Sequence, residues 1–202
     1  MYLKFTVNRK YLYLKFTVDR KYLYFCQKIL VMILHRQLFG KIKDSLINRE
    51  KIVLIYCPRQ AGKTTLSKEV IKSSGLRTLS VNADQLKYID VLSSRDLNKL
   101  QSLVSGYELL FVDEGQRVPE IGINLKILHD EIPDLKILVT GSSSFLLSDR
   151  VTEALTGRKV IFTLLPVSVS ELKQSFNSFE IDDQLEDRLI YGCYPEVITT
   201  LN

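Results

Sequence analysis

Short apolar runs alternate with stretches of helical periodicity along most of the chain. The run from Ile52 to Tyr56 is continuously apolar, which is typical of a parallel strand buried on both faces. Further runs predict strands at Arg77–Val81, Leu109–Val112, Lys136–Thr140 and Val160–Leu164. Such alternation predicts an α/β fold of three layers, with helices on both faces of a parallel sheet.

Apolar residues spaced by three or four positions predict the helices between these strands. A leading amphipathic helix is marked by Leu34, Leu38, Ile42 and Leu46. The segment Thr64–Ser74 predicts a second helix, which Gly75 ends. A third is marked by Ile121, Leu125, Leu128 and Ile132. In a sheet of this kind, ligand chemistry is expected at the carboxyl ends of the strands.

The first 23 residues contain a tandem repeat of eleven residues. Residues 2–12 read YLKFTVNRKYL and residues 13–23 read YLKFTVDRKYL, with one difference between Asn8 and Asp19. Two copies are too few to stack as a solenoid. One interpretation is a basic, Tyr-rich arm that contacts phosphates or stacks bases. The interpretation we favour is an appended segment that precedes a natural start at Met32.

The net charge of +5 is concentrated in this N-terminal segment. Residues 1–31 contain seven Lys or Arg and one Asp, a net of +6, so residues 32–202 carry 21 basic and 22 acidic residues, a net of −1. The nearly neutral remainder argues against a nucleic acid or an anionic membrane surface as its partner. Nucleic acid therefore stays open as a partner only through the N-terminal arm.

Cysteine usage and hydropathy predict a cytoplasmic protein. The cysteines Cys26, Cys57 and Cys193 form neither a CxxC pair nor a Cys/His cluster with zinc-ligand spacing. The most apolar run, Tyr22–Leu34, is interrupted by Gln27 and Lys28 and falls short of the roughly 20 residues that span a membrane. We therefore predict no membrane segment.

The predicted strand at Ile52 leads directly into residues 57–64, CPRQAGKT. This segment fits the phosphate-binding pattern G-x-x-x-x-G-K-[ST], except that Cys57 replaces the first glycine. Backbone N–H groups of such a loop surround phosphates, and the positive end of the following helix adds to the attraction. A left-handed backbone at Cys57 would cost about 1 kcal/mol or more.

Each residue of the loop has an expected role toward a nucleoside triphosphate. The Lys63 ammonium is expected against the β and γ phosphates, and the Thr64 hydroxyl on Mg²⁺. The predicted nucleotide-binding residues are Pro58, Arg59, Gln60, Ala61, Gly62, Lys63, Thr64 and Thr65. ATP is favoured over GTP, because the Asn98-Lys99 pair lacks the later Asp of a guanine-specificity motif.

Two acids follow the apolar run at residues 109–112. Asp113 is expected to hold Mg²⁺ directly or through water, and Glu114 to polarise the water that attacks the γ-phosphoryl group. An acidic pair after a strand is also common in an ordinary solvated turn. Its combination with the loop at residues 57–64 favours the catalytic interpretation.

Two further positions are predicted to sense or stabilise the γ-phosphate. Ser142 or Ser143 follows the predicted strand at residues 136–140, where a polar side chain can report the γ-phosphate. The alternative is that a serine caps the next helix.

Arg158 is a candidate arginine finger toward a neighbouring subunit. Its alternatives are a surface arginine or an ion pair with Glu153.

Six segments lie in order over about residues 34–200: CPRQAGKTTL, LLFVDEGQRVPEI, ILVTGSSSFLLS, EALTGR, LLPVSVSEL and GCYPEV. Together they resemble the archaeal and bacterial AAA-type ATPases that carry a C-terminal domain of unassigned function. The resemblance implies the sheet order 5-1-4-3-2, ATP bound by Gly62, Lys63 and Thr64, and Asp113 with Glu114 as the Walker B pair.

The chain departs from that family at two positions. Cys57 stands for the first loop glycine, and Gly115 stands where the family usually has an aliphatic residue. Both departures concern the rate of hydrolysis more than the binding of nucleotide. The family's C-terminal domain is also expected to be missing from this chain.

These observations predict three segments and a function. Residues 1–31 are an extension, residues 32–180 a P-loop ATPase domain, and residues 181–202 the truncated start of a helical C-terminal region. The first hypothesis is an ATPase that uses Mg-ATP to drive a conformational switch. The alternatives are a nucleotide-binding module with little hydrolysis, and a small-molecule kinase, which the absence of an arginine-rich lid disfavours. A protein partner or a second copy of the chain stays open.

Overall fold

A computed structural model describes these residues of the chain: 2–7, 10–15, 34–48, 50–142 and 153–200. The chain divides into two compact units, Met1–Ile33 and Leu34–Asn202. In the first unit, β1 (Tyr2–Val7) pairs antiparallel with β2 (Lys10–Lys15). Strand β2 crosses the junction between the two repeat copies, so the hairpin does not align one copy with the other.

Strands and helices alternate through the second unit. Its strands are β3 (Ile52–Cys57), β4 (Thr78–Asn82), β5 (Leu109–Asp113), β6 (Lys136–Ser142) and β7 (Lys159–Thr163). Its helices are α1 (Leu38–Asn48), α2 (Lys63–Ser74), α3 (Leu86–Leu92), α4 (Leu97–Val104), α5 (Ile121–Glu131), α6 (Val169–Leu172), α7 (Ser178–Asp183), α8 (Leu185–Tyr191) and α9 (Pro195–Thr200), with a 3-10 turn at Gly115–Arg117. Within the described ranges, none of the helices combines the length and the hydropathy that a bilayer span requires.

The five strands β3 to β7 form one parallel sheet in the order β4-β5-β6-β3-β7. Counted from β3 as the first strand and read from the other edge, this is the order 5-1-4-3-2. The predicted α/β fold and the predicted strand order are therefore confirmed.

Strand β3 lies between β6 and β7 in the sheet and is buried along its whole length. Its residues 52, 54 and 56 pack with α3, α4 and α5, whereas residues 53, 55 and 57 pack with α1 and α2. Successive side chains of a strand point to opposite faces, so these two clusters are the two helical layers that cover the sheet. Each buried Ile, Leu or Val contributes roughly 1.5–3 kcal/mol relative to an exposed position.

Helix α1 begins at Leu38, so the prediction that this helix starts at Leu34 is wrong. Leu34 packs instead in a third, smaller apolar cluster with residues of the C-terminal region: Val167, Leu172, Ile181 and Ile198. The backbone N–H of Gln37 donates to the Glu171 carboxylate at 2.8 Å. These long-range contacts hold the residues before Leu38 out of the helix.

Candidate functional site

Residues 57–64 form the turn between β3 and α2. The left-handed backbone of this turn lies at Gln60, with φ 65°, and at Gly62, with φ 89°. Cys57 ends β3, where it pairs with Ser142 of β6, and it is not among the left-handed residues. The cost expected for a left-handed Cys57 therefore does not arise. Burial raises the pKa of the Cys57 thiol.

Helix α2 begins at Lys63 directly after this turn. Gly62 is its N-cap and provides no side-chain hydrogen bond to the first turn of the helix. The first N–H groups of a helix have no partner within the helix. The loop therefore leaves backbone donors at a positive helix end, which is the arrangement that binds anions.

Asp113, the last residue of β5, lies against the start of α2. Its Oδ2 accepts a hydrogen bond from the Thr64 hydroxyl at 3.2 Å. Its Oδ1 accepts a hydrogen bond from the hydroxyl of Thr140, a buried residue of β6. Sequence reasoning missed Thr140, although a hydroxyl inside the apolar run at residues 136–140 was a signal. The predicted Mg²⁺ ligands Thr64 and Asp113 thus meet at one edge of the sheet.

Lys63 and Glu114 form an ion pair across this edge, with the ammonium Nζ 2.5 Å from the carboxylate Oε1. Burial alone would raise the pKa of Glu114, but hydrogen bonds from Lys63 and Gln116 and the charges of Lys63 and Arg117 outweigh it and lower the pKa. The carboxylate is therefore ionised at neutral pH. Glu114 also has a left-handed backbone, with φ 58°.

Gln116 connects Glu114 to the end of β6. Its side-chain amide donates to Glu114 Oε2 at 2.5 Å, and its carbonyl oxygen accepts from the backbone N–H of Ser142 at 3.2 Å. Sequence reasoning did not assign a role to Gln116. This contact brings Ser142 close to Glu114, and its sensing role stays a prediction. Ser143 lies outside the described residues.

A cleft of about 740 Å³ opens over the loop and Glu114. Seven of the eight predicted nucleotide-binding residues line it: Pro58, Arg59, Gln60, Gly62, Lys63, Thr64 and Thr65. Ala61 does not, because its side chain is buried beneath the loop. Glu114, Gln116 and Ser142 line the same cleft. The loop, Glu114 and Ser142 therefore share one space.

Pro195 and Glu196, at the start of α9, complete the lining of the cleft. A Cβ added at Gly62 would lie 3.4 Å from Pro195 Cγ, so the C-terminal region touches the loop. Sequence reasoning had not placed this region at the site. The segment GCYPEV was recognised only as part of the family resemblance, because hydropathy does not show where a distant helix packs.

Arg158 lies at the other end of the sheet from the loop. It precedes β7, and its carbonyl accepts the backbone N–H of Ile52 at the beginning of β3. Its Nε donates to Asp130 Oδ1 at 2.7 Å, so its partner is Asp130 and not Glu153. Within one chain it is separated from the cleft by the length of β3. Its role toward a neighbouring subunit stays a prediction.

The second departure from the family pattern, Gly115, sits in a space that Val139 fills. A Cβ added at Gly115 would lie 2.7 Å from Val139 Cγ1 and 3.4 Å from the carbonyl oxygen of Thr140. We therefore expect Gly115→Ala to lower the free energy of unfolding by about 1–3 kcal/mol through overpacking. Denaturant unfolding followed by circular dichroism measures this change.

Gly40→Ala is the matched control for that prediction. Gly40 lies in α1 and a Cβ there would meet no atom within 4 Å, so the same substitution should stabilise the protein by roughly 0.5–1 kcal/mol. Adding Val139→Ala to Gly115→Ala should recover part of the loss. Unchanged stability of Gly115→Ala would show that the turn moves freely away from β6.

One protein-family model, described as an AAA domain, matches residues 49–173 of the chain. Uncharacterized proteins of Mycobacterium tuberculosis and Mycobacterium bovis are each 32% identical over 149 residues, which cover 73% of this chain and 32% of each relative. An uncharacterized protein of Methanocaldococcus jannaschii is 27% identical over 177 residues, covering 77% of this chain and 40% of the relative. The chain therefore spans well under half the length of these relatives.

Two solved structures share the fold. The Walker-type ATPase of Pyrococcus abyssi superposes with a TM-score of 0.58 at 16% identity, over 82% of this chain and 66% of that one. AMPPCP-bound DnaA from Aquifex aeolicus superposes with a TM-score of 0.50 at 18% identity, over 74% of this chain and 54% of that one. At these identities the likeness concerns the fold alone.

Proposed function

Because the chain belongs to the AAA domain family, we propose that it binds ATP with Mg²⁺ in the cleft over residues 57–64 and hydrolyses it to drive a change of conformation. One observation carries the proposal. Lys63 and Thr64 at the start of α2 contact Glu114 and Asp113 at the end of β5. A phosphate-binding cation and a candidate general base thus face the same space.

In this proposal each polar group acts on a defined part of the nucleotide. Backbone N–H groups at Gly62 and Lys63 and the Lys63 ammonium bind the phosphates, and Glu114 orients and deprotonates the attacking water. Gln116 and the Ser142 position hold Glu114 beside the γ-phosphate. A hydroxyl and a carboxylate are oxygen ligands of the kind that Mg²⁺ prefers, so Thr64 and Asp113 fit the ion. Bound Mg²⁺ would neutralise charge that develops on the transferred phosphoryl group.

The ion pair between Lys63 and Glu114 implies an exchange of partners during the cycle. When phosphate enters, the Lys63 ammonium has a stronger anionic partner and releases the carboxylate to act on water.

The core assigned to residues 32–180 carries this chemistry, and Pro195 brings the region 181–202 into contact with the loop. We propose that this contact transmits the nucleotide state to a protein partner or to a second copy of the chain.

A nucleotide-binding module with little hydrolysis is the second candidate. It is favoured by the same ion pair, because a carboxylate held by both Lys63 and Gln116 is not free to deprotonate water. Binding of ATP without release of phosphate above the background of Glu114→Gln would favour this candidate.

Dependence on Mg²⁺ tests the proposal on the wild-type chain. We expect EDTA, and separately Asp113→Asn, to lower phosphate release from ATP by at least about 100-fold, because a bound metal ion supplies several kcal/mol of charge stabilisation. Phosphate release is measured at saturating ATP. Equilibrium binding of ATP and of GTP is measured alongside, and ATP should bind more tightly than GTP. Asp134→Asn, an exposed acid away from the cleft, is the control. Release that persists at full rate in EDTA contradicts the proposal.

A further inference from the structure

Arg36 is a buried arginine that the proposed hydrolysis does not use. Its side chain is 7% exposed, and its Nε donates to Glu171 Oε1 at 3.1 Å. Its Nη1 donates to the carbonyl oxygen of Ala61 at 2.8 Å, and its Nη2 to that of Leu165 at 2.5 Å. A buried ion pair adds little net stability compared with apolar side chains of the same size. These bonds tie residue 36 both to the loop and to the segment 165–171.

Glu171 fixes the direction of the guanidinium. Its carboxylate accepts the backbone N–H groups of Gln37 at 2.8 Å and Ser168 at 2.9 Å in addition to the bond from Arg36. Burial alone would raise the pKa of Glu171, but the backbone hydrogen bonds and the Arg36 charge outweigh it and lower the pKa. Arg36 is thus held by an ionised and fully engaged partner, on the side of the loop away from solvent.

The bond from Arg36 to Ala61 determines which way one peptide group of the loop faces. In a planar trans peptide the C=O and the N–H point in opposite directions. Because the carbonyl of Ala61 points to the buried guanidinium, the N–H of Gly62 points the other way. Gly62 lines the cleft and Ala61 does not. The orientation of this peptide therefore presents a donor to the cleft.

This peptide is also one that could easily turn over. Gly62 has no Cβ, so rotation of the Ala61–Gly62 peptide meets little steric resistance. A reversed peptide would present the Ala61 carbonyl oxygen to the phosphates and repel them. Leu165 and Glu171 anchor the guanidinium, and its bond to the Ala61 carbonyl opposes such a reversal.

We propose that Arg36 is a positioning residue for phosphate binding, which holds the Ala61–Gly62 peptide so that the Gly62 N–H faces the cleft. The inference rests on the proposed function, because it concerns the same phosphate cradle. It also makes the affinity of the loop depend on the segment 165–171, to which Arg36 ties it.

The test compares Arg36→Met with Leu172→Ala. Leu172 is buried in the cluster that includes Leu34, so its truncation weakens the same region without touching Ala61. We measure the affinity of each variant for ATP and for inorganic tripolyphosphate, at a temperature at which circular dichroism shows both to be folded. Arg36→Met should lower the affinity for both ligands by roughly ten- to a hundredfold, and Leu172→Ala should lower it by much less. Equal affinities of the two variants overturn the inference.

Arg36→Lys separates charge from geometry and also serves if Arg36→Met does not fold. A lysine keeps the positive charge, but a single ammonium cannot reach the three acceptors that the guanidinium binds. Arg36→Lys should therefore also bind both ligands more weakly than wild type. Wild-type affinity of this variant overturns the inference. Lys63→Ala distinguishes the two levels of the proposal. If wild type binds ATP and Lys63→Ala does not, the proposed function stands whatever the Arg36 variants show.

Discussion

Lys63→Ala is expected to lower the affinity for ATP by about 30- to 1,000-fold. Lys63 lines the cleft and its Nζ pairs with Glu114 Oε1, so in the proposed function its ammonium is the charged donor for the phosphates. Loss of a charged hydrogen-bonding group at a binding site costs roughly 2–4 kcal/mol. Isothermal titration calorimetry with ATP and Mg²⁺ measures the change, and no affinity should remain for tripolyphosphate at micromolar concentration.

Lys68→Ala is the matched control for this variant. Lys68 is an exposed residue of the same helix α2 and does not line the cleft, so the substitution removes the same charge from the same element. Its affinity for ATP should stay within about twofold of wild type, since a distant surface charge is screened by salt. If Lys63→Ala and Lys68→Ala bind ATP equally well, the phosphates do not lie on this loop.

Glu114→Gln is expected to retain binding of ATP and to release phosphate about 100- to 10,000-fold more slowly, which is the usual contribution of a general base. The amide cannot accept the proton of the attacking water. It also removes the negative partner of Lys63, which ATP must displace in the wild-type chain. A partly exposed ion pair contributes up to about 1 kcal/mol, so the variant should bind ATP up to about fivefold more tightly.

Steady-state phosphate release and equilibrium binding of the same preparation test this prediction. Glu131→Gln is the control, because Glu131 is an exposed acid at the end of α5 and lies outside the cleft. It should match wild type in both measurements. Phosphate release by Glu114→Gln at the wild-type rate would assign the general base to another residue.

The sheet and the loop could be predicted because local patterns encode them. Ile52–Tyr56 is apolar at every position, and the glycine and lysine that follow it have fixed spacing. Strand ends were less predictable, since pairing sets them. Strand β6 continues two residues past Thr140, because Gly141 and Ser142 pair with the end of β3.

The residues that sequence reasoning missed act through contacts between distant parts of the chain. Arg36 is 135 positions from Glu171, and Thr140 lies 27 positions from Asp113. Pro195 reaches Gly62 from the opposite end of the domain. Neither hydropathy nor motif spacing contains such information. A polar residue inside an apolar pattern, such as Thr140, is the one signal of this kind that the sequence displays.

The left-handed backbone at Glu114 is a local strain that the packing of the sheet must maintain. A side chain with a Cβ costs roughly 1–2 kcal/mol in that conformation, and such strain persists only where the surroundings enforce it. Here the surroundings are β5, which Glu114 directly follows, and its sheet neighbours β4 and β6. The packed apolar sheet thus maintains an energetically costly placement of the Glu114 carboxylate. A substitution that loosens this packing should displace Glu114, and so lower the proposed turnover, before the domain unfolds.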